Sequence, residues 1–251
     1  MLQESLVLLG GVAAGTINTV VGSGTLITFP TLLAFGVPPV TANVSNTLGL
    51  VPGSVSGAIG YRAHLVGQKA RILRLVLATV LGSAIGATLL LVLPAGAFKA
   101  IVPVLIVLGL VLVVLGPRLS ERAAARAAAA GWDTAPDAAW VPPAVLGAGI
   151  YGGYFGAAQG VIVLGILGAG VHQPLQTNNA VKNVVVASSN ALAATIFIFS
   201  GHMDWLIVAL LAAGAAVGGQ LGAKVGTRLP ASVLRAFIVV VGLTALVVFL
   251  V

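Results

Sequence analysis

The chain reads as an all-α polytopic membrane protein with two inverted structural repeats, whose broken or re-entrant helices meet at a central site. Three observations predict this. Of the 251 residues, 59% are hydrophobic and only 7% are charged, whereas a soluble domain carries roughly 25% charged residues. Such a chain, with a mean hydropathy of +1.14, cannot cover a water-facing surface. Its apolar runs are long, as from Leu75 to Leu93 and from Ile101 to Leu115, and lack the short alternation of an outer-membrane barrel. Finally, the second half repeats the first at a fixed offset.

Taken in order, residues 5–21 are apolar but interrupted by Thr16, Asn18 and Thr19, and Gly22-Ser23-Gly24 then breaks the helix. Residues 25–36 form a second apolar piece containing Pro30. A full span needs about 20 residues, so this piece reads as a half-helix or re-entrant segment. Residues 40–61 make the next span. A basic loop with Arg62, His64, Lys69, Arg71 and Arg74 follows, then spans near 73–93 and 97–116. The segment 117–140 is the one hydrophilic connection of any length. Its alanines favour helix, and Arg118, Arg122 and Arg126 share a face before Asp133-Thr134-Ala135-Pro136-Asp137 breaks it. It reads as a cytoplasmic linker against the anionic inner leaflet. The repeats are expected at 1–116 and 141–251.

The offset of 136 carries Gly24 to Gly160, Gly82 to Gly218, Gly86 to Gly222, Pro94 to Pro230, Lys99 to Arg235 and Ala100 to Ala236. Six positions at one offset indicate duplication. The basic loop changes place between the halves. Positions 62–74 hold four Lys or Arg and their equivalents at 198–210 none, while 224–235 hold Lys224, Arg228 and Arg235 against Lys99 alone. Under the positive-inside rule the halves then point in opposite directions. That demands an odd number of crossings per half, met by a non-crossing first element plus three spans or by five short crossings.

Two polar clusters stand out in this apolar chain, Thr41-Ala42-Asn43-Val44-Ser45-Asn46 and Thr177-Asn178-Asn179-Ala180-Val181-Lys182-Asn183. Polar groups in lipid must find partners, and matched interruptions in two halves point to a binding site at membrane depth. Asn43 and Asn46 share a helical face, with Ser45 nearby and Thr41 as a candidate cap. Asn side chains offer donors without a fixed charge, which suits a site that must release its cargo. The competing reading is hydrogen bonding between helices that only holds the bundle together. Lys182 is the lone Lys or Arg between positions 127 and 223. It either snorkels to water, or serves an anionic cargo as charge partner or proton carrier. The breaks Gly22-Ser23-Gly24-Thr25 and Gly156-Ala157-Ala158-Gln159-Gly160 allow an unwound backbone whose N–H groups face an oxyanion. Asn18 and Gln159 sit beside them. Ser54, Ser56, Ser188, Ser189 and Asn190 either extend a polar path or bond the preceding carbonyl. Gly82 with Gly86, and Gly218 with Gly222, are expected to serve helix packing.

The net charge of +7 lies in loops and sets orientation, so nucleic acid is not expected as a partner. With no Cys, disulfides and thiolate metal sites are excluded. His64, His172 and His202 are scattered and make a poor metal site. No triad, paired carboxylates or nucleotide loop is visible, so neither enzyme activity nor a cofactor is expected. Coupling would fall to protons or the membrane potential. A homo-oligomer is compatible with the sequence. The N-terminus lacks a cleaved signal's positive region, so the first apolar stretch is expected to be retained.

Several of these residues together resemble the TauE/SafE sulfite exporter family, also called the 4-toluene sulfonate uptake permease family. They are Gly11 and Gly15, the Gly22-Ser23-Gly24-Thr25 break, Pro30, Gly36-Val37-Pro38-Pro39, Asn43 through Asn46, and Gly201-His202-Met203-Asp204-Trp205. Gly218, Gly222, Arg228-Leu229-Pro230 and Arg235 extend the match. The break reads Gly-Ser-Gly where that family usually has three glycines. The resemblance implies movement of small organosulfur or carboxylate anions, such as sulfite or sulfoacetate, across the bacterial inner membrane. The alternative in another class is a membrane scaffold or assembly subunit that moves nothing.

Overall fold

The computed structural model describes residues 2–130 and 137–225, together with Ala236, Val239, Val240, Leu243 and Leu246. The described residues are helical, with short connections and no strand. The first half holds α1 (Leu2–Val20), α2 (Thr25–Ala34), α3 (Pro39–Gly60), α4 (Lys69–Val92) and α5 (Ala95–Ala130). The second holds α6 (Val141–Tyr154), α7 (Gln159–Gly170), α8 (Leu175–Ile198) and α9 (Trp205–Val225). Four segments are long and apolar enough to cross a bilayer: Lys69–Val92, Gly96–Leu115, Leu175–Ile198 and Trp205–Lys224. On α4, Leu73, Leu77, Leu81, Ile85 and Leu89 recur every four residues and are exposed. An outward stripe of this kind belongs against lipid, not water.

The expected helices and the short second element are present, with two corrections. The span at 97–116 and the linker helix form one helix, α5, of 36 residues. At 1.5 Å per residue it is about 54 Å long, well beyond a hydrocarbon core of about 30 Å. The side chains of Arg118, Arg122 and Arg126, and the segment 131–136, lie outside the described residues, as do Arg228, Pro230 and Arg235. The second correction concerns Thr41. Pro38 precedes the first turn of α3 with φ −54° and ψ 141°, and Pro39 opens the helix. Proline suits this place because its missing N–H is not needed there. Thr41 therefore lies inside the helix, and the amide cluster sits one to two turns in. α8 begins alike, after Pro174 at φ −53° and ψ 145°.

Small residues set the packing and reveal its direction. A Cβ on Gly82 or Gly86 of α4 would strike the carbonyls of Leu146 and Ile150 on α6. One on Gly214, Gly218 or Gly222 of α9 would strike those of Leu8, Val12 and Thr16 on α1. Numbers rise together in each pair, so α4 runs with α6 and α9 runs with α1. Gly49, Gly53 and Gly60 of α3 meet Leu211, Ala215 and Ala223 likewise, so α3 also runs with α9. Short turns at 61–68 and 199–204 reverse the chain between α3 and α4, and between α8 and α9. The expected packing role of the matched glycines is borne out. At the centre of the apolar core, Phe29 of α2 stands edge-on to Phe155 at 5.1 Å and to Phe98 of α5 at 6.4 Å.

Candidate functional site

Both helix breaks fall where the glycines are. α1 stops at Val20, and the chain reverses through Gly22, whose φ is +88°. Gly24 then leads into α2, and Thr25 is its first residue. In the second half α6 stops at Tyr154, the chain passes Gly156 at φ +77° and Ala158 at +59°, and α7 starts at Gln159. The two breaks touch. The Gly160 N–H donates to the Gly22 carbonyl at 3.0 Å, and a Cβ on either residue would enter the other's backbone. The N-terminal ends of two half-helices thus meet inside the molecule. Each presents the positive end of a helix dipole, although the first N–H groups of α7 are taken up by the carbonyls of Gly156, Gly22 and Ala158.

The α3 cluster faces these breaks. Asn46 is fully buried; its Nδ2 donates to Thr25 Oγ1 at 3.1 Å, and its Oδ1 accepts from the Thr28 hydroxyl. Asn43, also fully buried, donates from Nδ2 to the Tyr154 carbonyl at 3.1 Å, tying α3 to the end of α6. Ser45 lies elsewhere: its Oγ accepts the Asp204 N–H at 2.9 Å and fixes the α8–α9 turn.

From α8, Lys182 reaches the first break. Its side chain is completely buried, and Nζ donates to the carbonyls of Thr19 at 3.0 Å and Asn18 at 3.3 Å. Those carbonyls are free because α1 ends there, and no carboxylate pairs with Lys182 among the described residues. Snorkelling to water is therefore not what this lysine does. The Asn18 side chain donates to Ser54 Oγ at 3.1 Å, and Asn190 approaches the same oxygen at 3.5 Å. Gln159 donates to Ser189 Oγ at 2.9 Å. Among the described residues Ser188 bonds only the Val184 carbonyl four residues back, while Ser54 also donates to that of Leu50. Asn178 caps its own turn on the Gln173 carbonyl. Asn179 interacts with the Tyr61 hydroxyl at the end of α3, and Thr177 is half-buried in the first turn of α8.

Several buried polar atoms at the breaks find no partner among the described residues: Thr19 Oγ1, Ser23 Oγ and Gln159 Oε1, with Asn43 Oδ1 beside the end of α6. Each unmet group costs about 1–3 kcal/mol, and so many in one region is unusual for a site that only glues helices. The structure thus gathers Asn18, Ser23, Thr25, Gln159, Gly160 and Lys182 around the touching breaks, with Asn43 and Asn46 bound to the same elements. It adds Thr28 and the carbonyls of Asn18, Thr19 and Tyr154. Thr28 follows Thr25 by three residues, so helical spacing could have found it. The carbonyls carry no mark in the sequence.

Comparison with known proteins agrees with this architecture. Residues 7–249 match the family model described as sulfite exporter TauE/SafE. The chain is 27% identical over 232 residues to the probable membrane transporter protein YfcA of Escherichia coli K12, covering 91% of this chain and 82% of that one. It is 26% identical over 235 residues to a probable membrane transporter protein of Haemophilus influenzae, covering 92% and 88%. It is 27% identical over 239 residues to the probable membrane transporter protein ORF9 of a Sinorhizobium species, covering 92% and 85%. No solved structure matches the chain. With its helices, its touching breaks and a match over nearly its whole length, the chain belongs to the TauE/SafE sulfite exporter family of membrane transporters.

Proposed function

We propose that this protein is a secondary carrier of a small organosulfur or related anion, such as sulfite, sulfoacetate or another sulfonate, working by alternating access in the bacterial inner membrane. One observation carries the reading. Two half-helix N-termini abut through Gly22 and Gly160, the Lys182 amino group is buried beside them, and unpartnered polar atoms surround the contact. The Thr19 and Ser23 hydroxyls, the dipole ends and a lysine without a carboxylate suit a small oxyanion better than a cation. Lys182 would face the charge of the cargo, beside Asn18 and Ser23. The expected joint clasp by Asn43, Asn46, Asn179 and Asn183 is not met, because Asn43 and Asn46 lie one to two turns into α3 and Asn179 meets Tyr61 at its far end, about 20 Å along that helix. The site is sealed in this conformation, with Asn43, Asn46 and Lys182 at 0% exposure, as suits an occluded state.

The repeats 1–116 and 141–251, joined by a cytoplasmic linker at 117–140, would rock against each other around the contact. The packing registers support their inversion: α1 and α3 run with α9, and α4 runs with α6. Equivalent helices of the two halves therefore point opposite ways, as in many secondary carriers. Arg62, Lys69, Arg71, Arg74 and Lys224 then share one face, which the positive-inside rule makes cytoplasmic. Protons or the membrane potential would drive the cycle, and no bond of the cargo would be made or broken.

The scaffold alternative has support of its own, because Asn46 is fully engaged with α2. Flux separates the two. Proteoliposomes with the purified chain are expected to take up at least one of radiolabelled sulfite, sulfoacetate or taurine. Lys182→Met is expected to cut that flux at least about 100-fold, equivalent to about 2.7 kcal/mol. A scaffold would move none of them, and Asn46→Ala would alter only its melting temperature.

A further inference from the structure

The basic face carries a second polar site, distant in sequence from the helix breaks. A cavity of about 420 Å³ opens where the turn before α4 meets the segment before α6 and the α7–α8 connection. Gln68, Arg71 and Arg74 line it from the first half, Asp137 from the end of the linker and Gln173 from the second half. Arg71 is held as a fork: Nε donates to Asp137 Oδ2 at 2.8 Å and Nη2 to Oδ1 at 2.7 Å. Its Nη1 donates to Gln68 Oε1, and Gln68 Nε2 donates to Gln173 Oε1 at 3.3 Å. Arg74 stands one turn along α4, with no carboxylate or hydrogen-bond partner among the described residues. Two guanidiniums and one carboxylate leave one positive charge uncompensated in a partly enclosed space.

We propose that this cavity is a docking site for a small soluble anion bearing a carboxylate or sulfonate group, which accepts from both Arg74 and Arg71 and displaces Asp137. The inference rests on the reading that the cargo is an anion, and it adds a first stop on the basic face. A guanidinium presents parallel N–H groups that match two oxygens of such a head group. Arg71 is partly buried, at 20% side-chain exposure, and leaving it unpaired would be costly. Asp137 meets that need while the cavity is empty. When an anion arrives, Arg71 exchanges one carboxylate-like partner for another at little net gain, and Arg74 acquires a partner it lacks. Affinity stays modest, which suits a stop on the way to another site. Because Asp137 belongs to the linker that leads into α6 and Arg71 to the first half, the exchange also unties one link between them.

The test is chemical protection of the full chain in phosphatidylcholine nanodiscs, with sulfoacetate as the probe. Phenylglyoxal modification of each arginine is followed by peptide mass mapping. Sulfoacetate is expected to slow modification of Arg74, while exposed Arg62 on the same face reacts at an unchanged rate. The deciding variant is Asp137→Asn. Removing the competitor is expected to lower the half-protecting concentration about tenfold, whereas a carboxylate that merely shapes the cavity would raise it on removal. Asp137→Glu is expected to behave as the unaltered chain. Equal protection of Arg62 and Arg74, no protection of Arg74, or weaker protection in Asp137→Asn would each overturn the proposal. So would protection of Arg74 by phosphatidylglycerol nanodiscs alone, which would make the cavity a lipid headgroup site. The assay reads no flux. Protection without transport would keep this site and sink the carrier reading, and transport without protection would do the reverse.

Discussion

A methyl group on Gly22 would enter the backbone of Gly160, and the φ of +88° already lies where only glycine is at ease. Both penalties fall on the contact between the halves. Gly22→Ala is expected to destabilise the protein by at least about 3 kcal/mol, read as a fall of melting temperature in detergent. An unchanged melting curve would mean that the breaks do not meet as described. Lys182 poses the opposite case. Its amino group sits on two carbonyls, and a lysine buried so fully adds little net stability once desolvation is counted. Lys182→Met should therefore lose transport with a melting temperature near that of the parent. A large fall in melting temperature would assign Lys182 to the framework instead. Sequence alone located both residues. It could not show that the lysine of one half is seated on the last carbonyls of α1 in the other, because any helix has such carbonyls and only the break frees them.

Among the elements, two pairs answer each other. α4 lies on α6 through Gly82 and Gly86, and α9 lies on α1 through Gly214, Gly218 and Gly222. In lipid there is no hydrophobic drive to press helices together, so close van der Waals packing at small residues carries the association. Gly86→Leu should force α4 away from α6, and Gly218→Leu should force α9 away from α1. Each is expected to lower the melting temperature by a similar amount, at a cost of about 3 kcal/mol or more. Gly147→Leu is the control, because nothing lies within 4 Å of a Cβ built there. Equal damage from the control would refute the packing account. These glycines were legible through their offset of 136. The continuity of α5 was not, since a charged, alanine-rich helix past the bilayer looks the same in sequence whether or not it is joined to the span before it. The span at 40–61 fell within a residue of α3, but its cap was misassigned because Thr41 is a good cap in isolation, while Pro38 and Pro39 had already fixed the turn.

For the whole molecule, the running of α9 with α1 and α3, and of α4 with α6, sets which turns share an end. The α3–α4 turn lies at one end of the bundle and the α8–α9 turn at the other. Val66 and Phe199, at 84% and 85% exposure, mark these ends. The chain has no cysteine, so single Val66→Cys and Phe199→Cys variants can be labelled without background. In sealed inverted vesicles a membrane-impermeant maleimide is expected to react with the Val66→Cys variant and not with Phe199→Cys, and in spheroplasts the pattern should reverse. Labelling of both from one side would refute the inverted arrangement. The same geometry brings Arg71 of the first half and Asp137 of the linker together, a pairing no local pattern announces.

The order of greasy and polar stretches, the two glycine breaks and the all-helical membrane class came from the sequence alone, because each is fixed by composition, spacing and the cost of charge in lipid. Which breaks touch, which carbonyls are left free for Lys182, and which arginine is matched by Asp137 were decided only in three dimensions. Those partners are backbone atoms and distant residues, brought together by helices that approach closely enough to exclude everything larger than glycine.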